Sequence, residues 1–332
     1  MKLSSRNMIV FGGLTEEKEI NTLLRKQQIE DGYLLHTCND YDASLEVISK
    51  ASSLTTKKPR IMLKVYYAYP DYKNRRFRPI KQQIEEALKR LNCDLEEIVL
   101  QCCCFVPQNI LSGNEMSKFF HHLKKVYKIK RIFLEYYRIY DYSWQSLYEK
   151  NQKFDQNVIF GVAGYQNYYN RVLNKDELRK LQELALPFCH IGFLGKGKKD
   201  QKTIALLTDN NPEIEHVNMH QYLLGNIAYL IENVRTCPGS IGITSVSSKT
   251  NYEQLLDLFD IILEKTVIER KTLIRQMIQS IPTNFFYEDY YGGKFIFRQI
   301  VRRPKLLLKY LLQCIMCKIM NPFSLGKFHE TT

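Results

Sequence analysis

A tyrosine and a lysine in the first quarter of the chain have the residue types and setting of a proton donor. Tyr41 follows a buried strand predicted over residues 33–37, and Lys64 lies near the end of a second predicted strand over 60–65. Residues at the carboxyl ends of parallel strands point into the mouth of an α/β fold, where chemistry usually occurs. A lysine in an apolar run is costly unless its ammonium has a partner or a pocket. Because a neighbouring ammonium lowers the pKa of a tyrosine, the pair could deliver a proton.

Structural interpretations of these residues stay open. Tyr41 could be one aromatic among the 22 tyrosines of the chain, and Lys64 could extend its ammonium to solvent from a strand end. The three adjacent cysteines from Cys102 to Cys104 are interpreted as core, because a reactive thiolate needs surroundings that lower its pKa.

Strand and helix patterns alternate along most of the chain. Strands are predicted over 8–11, 33–37, 60–65, 94–101, 129–135 and 157–166, and in segments that start at 188 and 240. Helical apolar spacing separates most of them. This alternation is typical of a parallel (β/α)8 TIM barrel. We predict a barrel over residues 1–270, followed by a basic amphipathic C-terminal helical extension over 271–332.

The run around Tyr41 resembles a motif of the aldo/keto reductase family. In that family the second strand ends in Asp-Thr-Ala-x-x-Tyr-Gly-x-Ser. Thr37, Tyr41 and Ser44 match at the same spacings, whereas the aspartate is replaced by His36 and the glycine by Asp42. The resemblance implies that Tyr41 donates a proton to a substrate carbonyl and that Lys64 acidifies it. His36 cannot supply the missing negative charge, and its cationic form would repel Lys64.

A second match covers residues 79–101, where such reductases have a helix ending Ser-Leu-Lys-Arg-Leu and then a strand ending in the active-site histidine. Counting along this strand puts Cys103 in the place of the histidine. Cys103 is a poor hydrogen-bond donor. By the same resemblance, Glu135 and Tyr136 stand where serine and asparagine would hold a nicotinamide amide, and Ile191 stands where a tyrosine would stack on its ring.

The resemblance also implies NADPH as cofactor. Ser245, Ser247, Ser248 and Lys249 follow the last predicted strand, which is where barrels of this type bind phosphate groups. Hydroxyls, backbone amides and a helix N-terminus can together form an anion site. The same residues could equally form a simple helix-capping turn.

The basic character of the chain is concentrated near its C-terminus. The formal net charge is +13, and residues 294–327 contain no acid. The cations of this segment are Lys294, Arg298, Arg302, Arg303, Lys305, Lys309, Lys318 and Lys327. A wide apolar helix edged by cations suits the surface of an anionic membrane, and it equally suits packing on the barrel or on a partner.

Other binding classes are disfavoured. The basic segment has aliphatic rather than aromatic neighbours and no nucleic-acid-binding motif, so nucleic acid is not an expected partner. Cys314 and Cys317 have a metal-like spacing, but no second pair follows, so we expect no metal site. Nine irregularly placed cysteines indicate a reducing compartment. With no signal peptide or spanning segment in view, the expected location is cytoplasmic, with the C-terminal segment free to contact the inner face of a membrane.

Two functional hypotheses follow. In the first, the chain is a divergent aldo/keto-reductase-like oxidoreductase that reduces a small-molecule carbonyl substrate, such as a sugar, with NADPH. In the second, a barrel that has lost redox chemistry serves as a binding or scaffold protein, associated with a membrane through its C-terminal segment.

Overall fold

The computed structural model describes residues 5–12, 32–39, 41–66, 69–71, 76–91, 93–101, 114–135, 159–165, 168, 173, 175–194, 219–245 and 252–280. Cys103, the turn of Ser247, Ser248 and Lys249, and the predicted extension beyond residue 280 lie outside the described residues.

The described strands are β1 (Ile9–Gly12), β2 (Leu34–Cys38), β3 (Arg60–Tyr66), β4 (Tyr69–Asp71), β5 (Arg76–Arg78), β6 (Asp94–Gln101), β7 (Arg131–Glu135), β8 (Ile159–Tyr165), β9 (Phe188–Ile191) and β10 (Ile241–Ser245). The described helices are α1 (Ser5–Met8), α2 (Asp42–Ser53), α3 (Ile80–Leu91), α4 (Asn114–Tyr127), α5 (Lys175–Glu183), α6 (Met219–Thr236), α7 (Tyr252–Glu264) and α8 (Val267–Ser280).

Eight of these strands form a closed parallel barrel in the order β1, β2, β3, β6, β7, β8, β9, β10 and back to β1. Strands that follow one another in the barrel repeat are therefore neighbours in space, as crossover helices require. The predicted parallel strands are confirmed. The remaining two strands, β4 and β5, form an antiparallel pair in a stretch where the sequence predicts only a loop.

The barrel interior changes from apolar to polar towards the carboxyl ends of the strands. Side chains alternate along a strand, so residues two apart share a face. The apolar inner cluster consists of Val10, Leu34, Met62, Phe133, Ala163, Cys189, Ile241 and Ile243. The residues two positions further along β1, β2, β3 and β7 are Gly12, His36, Lys64 and Glu135. This polar layer lies at the end of the barrel where reactions take place in such folds.

A second apolar layer separates the outer face of the sheet from the helices. The helix α3 shows how the sequence builds it, since Ile80, Ile84, Ala87 and Leu91 recur at helical spacing and are all buried.

The last described helix, α8, runs past residue 270 and packs against α6. A Cβ atom at Gly225 would lie 2.5 Å from Sδ of Met277, so the absence of a side chain lets the two helices approach. Arg270 is fully buried and donates from Nε to Oε1 of Glu232 at 2.5 Å. Its Nη1 also donates to the carbonyl oxygen of Leu263 at 3.2 Å, so it satisfies the end of α7. Among the described helices, none is long and apolar enough to cross a bilayer.

Candidate active site

Lys64 lies in the barrel interior and is held by an ion pair. Its Nζ atom is 3.2 Å from Oε2 of Glu135, and the two side chains are 13% and 1% exposed. On β3, the neighbouring Leu63 and Val65 face the helices, so the alternation that buries them turns Lys64 inward. The apolar run therefore contains a lysine because an acid inside the barrel receives it.

Glu135 is the last residue of β7 and is separated from Lys64 by β6 in the sheet. The pair consequently reaches across the interior rather than between adjacent strands. A carboxylate that is almost out of contact with water is unfavourable alone, and the ammonium offsets that cost. Removing one partner of such a pair typically destabilises a protein by about 3–5 kcal/mol.

His36 is a neutral imidazole beside this pair. Burial, reinforced by the nearby Lys64 ammonium, lowers the pKa of His36 from 6.5 to about 3. A Cβ atom on Gly12 would lie 3.2 Å from Nδ1 of His36, so the glycine leaves room for the ring. At neutral pH, position 36 therefore adds no charge to the site.

Tyr41 lies at the rim, at the start of α2. Its N–H donates to the carbonyl oxygen of Cys38 at 2.9 Å, and its own carbonyl oxygen accepts from the N–H of Leu45 at 2.9 Å. The phenol ring lies 6.4 Å from the ring of His36, centroid to centroid, and Tyr41 is 38% exposed. The backbone is thus fixed while the ring borders both the site and solvent.

The other matching motif residues fix the loop that carries Tyr41. The buried Oγ1 of Thr37 donates to Oγ of Ser44 at 3.1 Å, which ties the end of β2 to the first turn of α2. Asn39 donates from Nδ2 to the carbonyl oxygen of Gln83 at 2.9 Å and ties the same loop to α3. The spacing of Thr37, Tyr41 and Ser44 therefore has a structural cause as well as a possible catalytic one.

Together these residues form a cluster suited to proton transfer. Lys64 and Tyr41 both border His36, which the ammonium reaches electrostatically and the phenol ring reaches by its edge. The cluster contains a compensated ammonium, a neutral imidazole and an accessible phenol. Such a set can donate a proton to an oxygen at the mouth and stabilise the phenolate that remains.

The described part of the barrel supports thiol or metal chemistry less than it supports proton transfer. Burial raises the pKa of the Cys189 thiol far above its usual range, and Glu135 acts in the same direction. A thiol held protonated in this way is a poor nucleophile. In the described ranges, no three His, Cys, Asp or Glu side chains group as metal ligands would.

Only some of the remaining predicted site residues lie in the part of the chain that the structure describes. Ser245 ends β10, paired in register with Gly12 of β1. Ser247, Ser248, Lys249 and Cys103 belong to the undescribed segments. Ile191, the predicted replacement for a ring-stacking tyrosine, packs against the apolar inner cluster.

No family model matches the sequence, and no curated protein matches it. Solved structures do. A Pseudomonas aeruginosa protein assigned to the aldo-keto reductases matches with a TM-score of 0.50 at 14% identity, covering 79% of this chain and 94% of that chain. The glycerol dehydrogenase AKR11B4 from Gluconobacter oxydans matches with a TM-score of 0.51 at 15% identity, covering 82% of this chain and 92% of that chain.

This chain has the aldo-keto reductase fold. The resemblance inferred from the residues around Tyr41 is confirmed at that level, with the low identity expected of a divergent chain. The matches cover about four fifths of this chain, so the fold is shared as a whole rather than in one motif.

Sequence reasoning missed the role of Glu135. The aldo-keto reductase pattern placed Glu135 where a serine would hold a nicotinamide amide and gave it no role of its own, whereas its carboxylate pairs with Lys64. A signal was present: an acid closes the apolar run Ile132, Phe133, Leu134, and a buried acid needs a cation. The sequence could not say which cation, because closure of the barrel decides it.

Proposed function

We propose that the protein is an oxidoreductase of the aldo-keto reductase type that reduces a small-molecule carbonyl with NADPH, with sugars as the first substrates to test. The observation that carries this proposal is the largely buried Lys64, which is compensated by Glu135 and lies within electrostatic reach of His36, whose ring is 6.4 Å from the ring of Tyr41 at the barrel mouth.

In this proposal Tyr41 is the proton donor. Its phenol gives a proton to the carbonyl oxygen as that oxygen becomes an alcohol, and the ammonium of Lys64 stabilises the phenolate. Because Tyr41 is 38% exposed, solvent can return the proton. His36, which is neutral, adds no second positive charge beside Lys64.

The end of β10 has a composition that fits the phosphates of NADPH. Strand β10 ends at Ser245 and α7 begins at Tyr252, so Ser247, Ser248 and Lys249 stand between a strand end and a helix N-terminus. Hydroxyls, amides and a cation in that position suit a phosphate. When bound, NADPH would supply a hydride. A cytoplasmic location accords with this cofactor and with free thiols.

The proposal is tested by titrating the protein with NADPH and then measuring NADPH oxidation with 4-nitrobenzaldehyde and glyceraldehyde. We expect saturable binding, and Tyr41→Phe should lower kcat by about 10²- to 10⁴-fold while NADPH still binds. Tyr127→Phe, which removes a phenol from α4, is the matched control and should leave kcat unchanged. Absence of NADPH binding would favour the redox-inactive binding or scaffold protein, whereas full activity in Tyr41→Phe would overturn the assignment of Tyr41 as the proton donor.

A further inference from the structure

The charge of Lys64 needs a counterion, and β2, one of the two strands adjacent to β3, contains no acid. Residue 36 on β2 faces the same interior layer and lies within electrostatic reach of Lys64, but it is a neutral histidine. The carboxylate comes instead from Glu135 on β7, at 3.2 Å and with 1% exposure. The negative charge that compensates Lys64 therefore comes from β7, the fifth strand of the barrel, and not from β2, the second.

We propose that Glu135 is a positioning residue of the active site, which holds Lys64 charged and directed toward the phenol of Tyr41. Its carboxylate performs from β7 the role that an acid at position 36 of β2 would perform. The inference rests on the reductase function proposed above and adds a residue to its machinery.

Packing around position 36 makes this exchange testable. The imidazole at 36 fills the space beside Gly12, where even a Cβ atom would lie only 3.2 Å from Nδ1 of the ring. An aspartate is smaller than a histidine and fits the same space. The acid can therefore be moved from β7 to β2 by His36→Asp combined with Glu135→Gln, with no net change in the number of acids.

The experiment compares wild type, Glu135→Gln and the exchanged variant in NADPH-dependent reduction of 4-nitrobenzaldehyde across the pH range. Glu135→Gln should lower kcat by about 100-fold, with the largest loss at alkaline pH, because a buried ammonium without a counterion gives up its proton more readily. The exchanged variant should recover at least about tenfold of this loss. Glu264→Gln, on the surface of α7, should match wild type.

Either of two results would overturn the inference: a wild-type pH profile in Glu135→Gln, or no recovery in an exchanged variant whose circular dichroism shows that it is folded. If the exchanged variant does not fold, the pH profile of Glu135→Gln decides alone.

A measurement without turnover separates this inference from the reductase proposal. Thermal unfolding of Glu135→Gln, Lys64→Met and the double variant forms a cycle, in which coupled partners give a double variant less destabilised than the sum of the singles. Additive effects would overturn the pairing whatever the enzyme does. If the two substitutions are coupled but the wild-type protein neither binds nor oxidises NADPH, the reductase proposal is refuted and the ion pair has only a structural role.

Discussion

The polar layer at the barrel mouth balances its charges among three side chains. Glu135 compensates Lys64, and His36 stays neutral because burial, reinforced by the Lys64 ammonium, disfavours its cationic form. A protonated His36 would place a second positive charge beside Lys64, so folding and protonation of this ring oppose each other.

We therefore expect His36 to make folding stability depend on pH in the acid range. Its pKa is 6.5 in the unfolded chain and about 3 in the folded one, so the unfolded chain binds the proton first. This contribution is complete above pH 6.5 and is lost as the pH falls toward about 3, by on the order of a few kcal/mol. Urea unfolding between about pH 7 and pH 4 should show wild type losing stability faster than His36→Asn.

His121→Asn is the control for this measurement, since it removes an exposed imidazole from α4. It should follow the wild-type slope. Parallel slopes for wild type and His36→Asn would contradict a depressed pKa at position 36.

At the scale of elements, the loop between β2 and α2 was the most predictable part of the site. The hydroxyl pair of Thr37 and Ser44 spans one strand end and one helix start, so its spacing is written in consecutive residues. The apolar face of α3 was predictable for the same reason. The β4–β5 pair was not, because each of its strands has three residues, which are too few to establish an alternation of apolar and polar residues.

The junction of α6, α7 and α8 depends on one buried guanidinium. Arg270→Met should destabilise the protein by about 3–5 kcal/mol, because it leaves Glu232 and the carbonyl groups at the end of α7 without their donor. Chemical denaturation measures this loss. Arg275→Met, an exposed position on the same helix, should change stability by less than about 0.5 kcal/mol. Equal effects of the two substitutions would show that α8 does not depend on this contact.

At the scale of the whole molecule, the closed barrel brings together residues that no local pattern connects. Strand number and order could be predicted because most of the strands are apolar runs and helical spacing separates most of them in the sequence. The pairing of Lys64 with Glu135 could not be predicted, because it depends on the distance across the barrel interior between side chains of two non-adjacent strands. The sequence thus predicted the fold and the loop that carries Tyr41 better than it predicted the ion pair in the barrel interior.

The basic segment 294–327 lies outside the described residues and leads to a separate prediction. If it contacts anionic membranes, the full chain should co-sediment with phosphatidylserine-containing vesicles and not with neutral ones. Replacing Arg298, Arg302 and Arg303 by glutamine should weaken this binding about 100-fold, at about 1 kcal/mol per cation. Replacing Lys124, Lys125 and Lys128 on the barrel removes the same charge and should have little effect. Equal losses in the two variants would indicate general charge attraction.

The Lys64–Glu135 pair joins two strands that β6 separates, and this has a consequence for how inactive relatives of enzymes are recognised. A charge inside the barrel can be neutralised by an opposite charge on any strand whose side chains reach the same part of the interior. An alignment that finds His36 where the motif has an acid records a negative charge as lost. In the structure the carboxylate of Glu135 lies 3.2 Å from Nζ of Lys64, so another strand supplies a negative charge to the interior.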